Sequence, residues 1–247
     1  MAQLLLRERL EGCCSAGESR EAHQHSRLAA VLPAEQLENP VDTSILIISD
    51  GTEHPPLQGR ILLRQALDGM PGFRFQEIAS LEELPENPAV RFQGLVLYFH
   101  HETISQAALE RLEGFVREGG GLLAVHSASA SFKQEALFFE ILGGRFREHG
   151  PVEPFEVRPA EMEDQPFGGI PSFSVHDELY RHDCLPGNVT HFATVVDRFA
   201  EPMVWTRRLG QGRVCYCALG HTVESMGHPQ VQEILRRGLA WACEGAA

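Results

Sequence analysis

Histidine is the commonest protein metal ligand and the side chain that titrates nearest neutral pH, so its placement is the first clue to chemistry in this chain. Four strand-like apolar segments end on one: His54 beyond Ser44–Ser49, the pair His100-His101 beyond Gly94–Phe99, His126 beyond Leu122–Val125, and His221 beyond Arg213–Leu219. In open α/β sheets ligands bind outside the carboxyl ends of parallel strands, so parallel strands here would turn all four positions toward one crevice. Carboxylates accompany them. Asp50 follows the first strand, and the pair Asp177-Glu178 follows the strand-like Ser172–Val175. Either could complete a histidine–carboxylate metal shell or orient an imidazole through its second nitrogen. For Asp177 the plainer alternative is the cap of a turn.

These residues need a scaffold, and its centre is Gly119–Ser129. A glycine run stops a helix, Leu122–Val125 forms a buried strand, and the chain leaves that strand on His126 and Ser127. Ser44–Ser49 and Gly94–Phe99 read as further buried strands of a parallel sheet, with Phe73–Ile78 as a weaker, alternating one. Helices are expected with Leu57, Ile61, Leu62 and Leu67 on one stripe, then from a Ser105 cap with Leu109, Leu112, Phe115 and Val116. A third should carry Phe132, Leu137, Phe138 and Ile141, and a last begins near Pro229 with Val231, Ile234, Leu235, Leu239 and Trp241 facing inward. Gly210-Gln211-Gly212 reads as a hairpin turn between Pro202–Thr206 and Arg213–Leu219. Residues 150–200, richer in proline, read as an insertion or a set of antiparallel edge strands. Residues 1–43 read as an N-terminal arm in which His23 and His25 are solvated.

Other chemistries fit less well. Val125-His126-Ser127-Ala128-Ser129 lacks the flanking glycines of a nucleophile elbow, which weakens a serine-hydrolase reading through Ser127. Cys215 and Cys217 share one strand face as buried structural thiols. No phosphate-cradling glycine loop is present, so no nucleotide cofactor is expected.

The totals narrow the function classes. The 247 residues, 43% hydrophobic and 22% charged, suit one globular α/β domain after the arm. A net charge of −13 disfavours nucleic acid and anionic membranes, because no basic patch exists to displace counterions. Six scattered cysteines match neither a zinc ribbon nor a stapled secreted domain. Leu4-Leu5-Leu6 is interrupted by Arg7, Glu8 and Arg9, unlike a signal peptide. A cytoplasmic location is expected, with homo-oligomerisation left open.

Ordered motifs add a resemblance. Gly119–Ala128, Leu142–His149, Asp177-Glu178-Leu179-Tyr180, Val204-Trp205-Thr206 with Gly210–Val214, Ala218–His221 and Gly238–Ala242 together resemble the ThuA-like (trehalose utilisation) family over about residues 44–245. The resemblance implies a class I glutamine amidotransferase-like fold, a flavodoxin-like three-layer α/β sandwich with a mainly parallel central sheet. Its elbow would carry His126 and Ser127 in place of the amidotransferase cysteine, so glutamine hydrolysis is not expected. It further implies a trehalose-related sugar as ligand, handled as a keto derivative that a partner sugar dehydrogenase supplies. On this basis His126, His149 and His221 are the catalytic candidates, with His149 as acid/base. Ser127, Asp177, Glu178, Tyr180 and His54 are the substrate-binding candidates. A divalent metal, zinc or manganese, is expected on His126, His221 and Asp177. The competing expectation is a non-catalytic sugar-binding or regulatory module on the same fold.

Overall fold

The computed structural model describes residues 42–50, 54–160 and 166–245. The arm expected over residues 1–43, with His23 and His25, lies outside them apart from its last two residues. The chain opens with β1 (Thr43–Ile48), α1 (Leu57–Asp68), β2 (Phe73–Glu77), β3 (Gly94–Leu97), α2 (Gln106–Arg117) and β4 (Gly121–Val125). It continues through α3 (Ala136–Leu142), β5 (Gly144–Pro159), β6 (Phe173–Cys184), β7 (Val189–Val196), β8 (Phe199–Leu209) and β9 (Gly212–Cys217). It closes with α4 (Val223–Met226) and α5 (Pro229–Cys243).

Nine strands form one sheet in the order β2-β1-β3-β4-β9-β8-β7-β5-β6. From β2 to β9 every neighbouring pair is parallel. From β9 to β6 every pair is antiparallel. The expectation of a mainly parallel sheet is thereby corrected, since the antiparallel part holds the longest strands, β5 with 16 residues and β6 with 12. The physical reason is legibility. Strands β1, β3 and β4 are buried along most or all of their length and appear as unbroken apolar runs. β5 is exposed along most of its length and carries no such run.

The helices close the core in two groups, α1 with α4 and α5, and α2 with α3. Ser105 caps α2 as expected, its hydroxyl accepting from the Ala108 amide at 3.1 Å. In α1 the buried residues are Gly59, Leu63, Ala66 and Leu67, whereas Leu57 and Ile61 point outward. Trp241 of α5 stays half-buried, with the Arg213 guanidinium 5.2 Å from its ring centre. The helix expected after His126 is split into a 3₁₀ turn (His126–Ala130) and α3, and Phe132 between them has a left-handed φ of 49°. The expected hairpin between β8 and β9 forms around Gly210-Gln211. Just past it, a side chain at Gly212 would come within 2.0 Å of the Val116 carbonyl oxygen and 2.6 Å of that of Gly120.

Two predictions follow from this packing. Because backbone oxygens cannot yield as side chains do, Gly212→Ala should destabilise the fold by about 1–3 kcal/mol or more, read by urea unfolding. His191 on β7 is buried beside Thr206, 2.8 Å from its hydroxyl, and burial lowers its pKa from 6.5 to about 4. The folded state therefore prefers the neutral ring. That contribution is complete above pH 6.5 and disappears as the pH falls toward 4. Melting temperature should decline across that window, and a His191→Gln variant should decline less steeply.

Candidate active site

Strands β1, β3, β4 and β9 are adjacent and parallel, so their carboxyl ends share one edge. The histidines that follow them meet there. His54 lies 4.6 Å from His221 between ring centres and 6.4 Å from His100. The His126 and His221 rings are 5.4 Å apart. His101 instead stacks on Phe99, 4.6 Å away, with its Nε2 4.0 Å from Asp50. Asp50 itself pairs with Arg60 at 3.6 Å, away from the cluster.

The cluster is organised by a carboxylate from the antiparallel half. Glu178 Oε2 lies 3.1 Å from His221 Nδ1 and 3.8 Å from His126 Nε2, and Oε1 lies 3.5 Å from His149 Nδ1. Burial raises the Glu178 pKa, opposed by the nearby His149 and His54. Burial holds His126 well below its ordinary value and lowers His221 as well, where the His54 charge adds to the effect. His149 reaches the site from β5 beside an irregularity in the β5–β6 register, a device that re-aims side chains. Tyr180 packs its ring 4.0 Å from that of His126 and 5.9 Å from that of His149.

Asp177 is placed differently from the expectation. It sits within β6, not at a turn after it, and adjacent residues of a strand face opposite sides. Its carboxylate accepts the amides of Gly220 at 2.7 Å and Thr222 at 3.0 Å, on the loop that carries His221. Glu178, not Asp177, is the carboxylate that faces His126 and His221. Tyr98 donates its hydroxyl to the Gly220 carbonyl at 2.6 Å, so the same loop is held from two sides. Ser127 is buried in the 3₁₀ turn, and its carbonyl accepts the Ser131 hydroxyl at 3.2 Å.

His126 is fixed more tightly than its sequence context suggests. Its φ of 42° is left-handed, a conformation unfavourable for a side chain with a Cβ. Nδ1 lies 2.8 Å from the Ala218 carbonyl, which can only accept, so Nδ1 carries the proton and Nε2 the lone pair. The His126 carbonyl in turn accepts from Tyr216 at 2.9 Å and from Ser129 at 3.2 Å. Ser129, Tyr216 and His182 form a buried polar chain, with Nε2 of His182 3.1 Å from the Tyr216 hydroxyl. Sequence reasoning missed these three residues. The available signal was the alternation of Tyr180 and His182 with Glu178 along β6, which puts a histidine in line with the site.

A parallel half-sheet with imidazoles gathered at its carboxyl edge is an α/β arrangement, and that edge is where ligand sites of such folds occur. Residues 44–242 match the family described as ThuA, trehalose utilisation, and the chain belongs to that family. A ThuA-like protein of Parabacteroides merdae is similar in structure, with a TM-score of 0.69 and 20% identity over 83% of this chain and 91% of its own. A ThuA-like protein of Bacteroides uniformis has a TM-score of 0.70 and 18% identity, covering 85% of this chain and 95% of its own. A cytoplasmic protein of Salmonella typhimurium reaches 0.61 at 14% identity, covering 82% and 98%. No curated protein matches the chain. At these identities the structural likenesses establish the fold alone. Among the described residues no helix is long and apolar enough to cross a membrane.

Asp177→Ala would leave the buried Gly220 amide and the part-buried Thr222 amide without an acceptor, a buried one costing about 1–3 kcal/mol. Urea unfolding should show a loss of about 1–4 kcal/mol for this variant and a smaller loss for Asp177→Asn, which keeps one acceptor.

Proposed function

We propose that the protein is an enzyme of sugar utilisation that acts on a keto-sugar or keto-glycoside at the histidine–carboxylate cluster. The observation that carries the reading is Glu178, a carboxylate facing His126, His149 and His221 from 3.1 to 3.8 Å. Carbon–hydrogen bonds beside a ketone are the acidic ones of a sugar, and a base with a stabilised conjugate acid can break them.

His149 is the base in this scheme, being the most exposed of the three imidazoles and having its Nδ1 beside Glu178. It takes the proton from the carbon next to the ketone, and the electron pair of that bond moves onto the carbonyl oxygen. In this scheme ring N–H groups of His54 and His221 hydrogen-bond the resulting enediolate and stabilise its charge. Two outcomes balance. The electron pair can return to expel a glycosidic oxygen, which collects the proton from His149, giving elimination. Alternatively the hydroxyl proton on the deprotonated carbon shifts to the original carbonyl oxygen while His149 returns its proton to the former carbonyl carbon, giving isomerisation. Tyr180, packed against the His126 ring, and Ser127 are assigned to substrate binding.

The ketone implies a preceding oxidation of a sugar hydroxyl, the task of a partner sugar dehydrogenase. The strained His126 after β4 supports reading the fold as flavodoxin-like and class I glutamine amidotransferase-like, with imidazole at the elbow. The turn directly after β4 is His126-Ser127-Ala128-Ser129-Ala130 and holds no cysteine, which argues against thiolate chemistry on glutamine. The unpaired thiols among the described residues support a cytoplasmic setting.

The test is proton exchange. Incubated with a 3-keto-disaccharide in deuterated water, the protein should exchange the hydrogen beside the ketone and consume the sugar, followed by NMR. Glu178→Gln and His149→Ala should each slow both by about 10²- to 10⁴-fold. Saturable sugar binding with no exchange would instead identify a sugar-binding module.

A further inference from the structure

We propose that Nε2 of His126, Nδ1 of His221 and Oε2 of Glu178 together hold one divalent transition-metal ion, zinc foremost. The three ligand atoms lie within 4.8 Å of one another, on residues from three separate strand ends or strands. Their hydrogen bonding is that of a cation's ligand set. Nε2 of His126 is buried, has no partner among the described residues, and carries a lone pair because Nδ1 is committed to the Ala218 carbonyl. Nδ1 of His221 is likewise buried without a hydrogen-bond partner, although it lies 3.1 Å from the Glu178 oxygen. A buried polar atom left unpaired is costly, and here two of them converge with a carboxylate on one point.

The spacing suits an ion. Zinc–ligand bonds of about 2.0–2.2 Å in a tetrahedron put neighbouring donors about 3.3 Å apart. The 3.1 Å and 3.8 Å separations to Glu178 bracket that value. Two imidazoles and one carboxylate form a set typical of catalytic zinc, which leaves a position open to substrate. Manganese is the second choice, since a mixed nitrogen and oxygen set accepts it less tightly. The supports behind the ligands are also of the expected kind. The Ala218 carbonyl fixes the tautomer of His126, and Asp177 pins the loop of His221 through two amides. His149 and His54 flank the open side, where an ion could polarise a ketone oxygen.

Ion binding is read without turnover, so the inference stands or falls separately from the keto-sugar reading. Full-length protein purified without a metal-affinity step and dialysed against chelator should take up one zinc ion per chain in calorimetric titration, with a rise in melting temperature. Cobalt(II) loading should give visible absorption bands of a low-coordinate site. Glu178→Gln, which keeps the side-chain shape, and His221→Ala should weaken zinc binding by roughly 100-fold or more. His149→Ala should leave the stoichiometry unchanged. Absence of binding in the wild type, or unaltered zinc affinity in Glu178→Gln, overturns the inference, and the second holds even if His221→Ala fails to fold. Zinc bound at one per chain without proton exchange on the keto-sugar overturns the functional reading alone.

Discussion

Neighbouring residues on a β-strand point to opposite faces, and at Asp177-Glu178 this single constraint divides two carboxylates between two tasks. Asp177 turns toward the loop that follows β9 and accepts its amides. Glu178 turns toward the imidazoles. Both are buried, which is rare for acidic residues and tolerated because each faces donors or partners on its own side. β6 therefore contributes in one dipeptide a clamp for His221 and the group that His221 addresses. A register slip of one residue would exchange the faces and abolish both.

The cost of burying polar atoms then shapes everything around that dipeptide. His126 keeps an unfavourable backbone conformation, and its carbonyl is held by Tyr216 and Ser129 while its ring is held by Ala218. Strained residues persist only where the surroundings over-determine them, and such surroundings are commonest at functional sites. The Tyr216–His182 contact extends this support into the antiparallel half, beneath the indole of Trp205. The result is an imidazole whose free nitrogen is aimed and whose tautomer is set before any ligand arrives. Preorganisation of that kind is what distinguishes a site from a collection of histidines.

The two halves of the sheet have complementary roles. The parallel half delivers His54, His126 and His221 to one edge by topology, because each strand ends in the same direction. The antiparallel half reaches over that edge with β5 and β6 and adds His149, Glu178 and Tyr180. Neither half contains the cluster alone.

Much of this was legible in the chain. Unbroken apolar runs at Ile45–Ile48, Leu95–Phe99 and Leu122–Val125 set the parallel strands, since burial on both faces leaves no polar alternation to confuse them. The histidines after those runs were legible as a shared edge, and the Ser105 cap and the Gly210-Gln211 turn were legible from local chemistry. Other features needed the folded chain. β5 is mostly exposed and gives no periodic signal, so residues 150–200 read only as an insertion or a set of antiparallel edge strands, whereas the β8–β9 hairpin was legible from its glycines. The stripe of Leu57 and Ile61 misled because a helix's buried face depends on what it packs against. The choice between Asp177 and Glu178 was closed to sequence, because adjacent carboxylates have the same composition and only strand phase separates them. That phase is fixed by pairing with β5, a contact between residues distant along the chain. The amino-acid sequence determined which groups could do chemistry and at which edge, through local burial and strand direction. The tertiary structure alone decided which atoms meet, because that depends on long-range register.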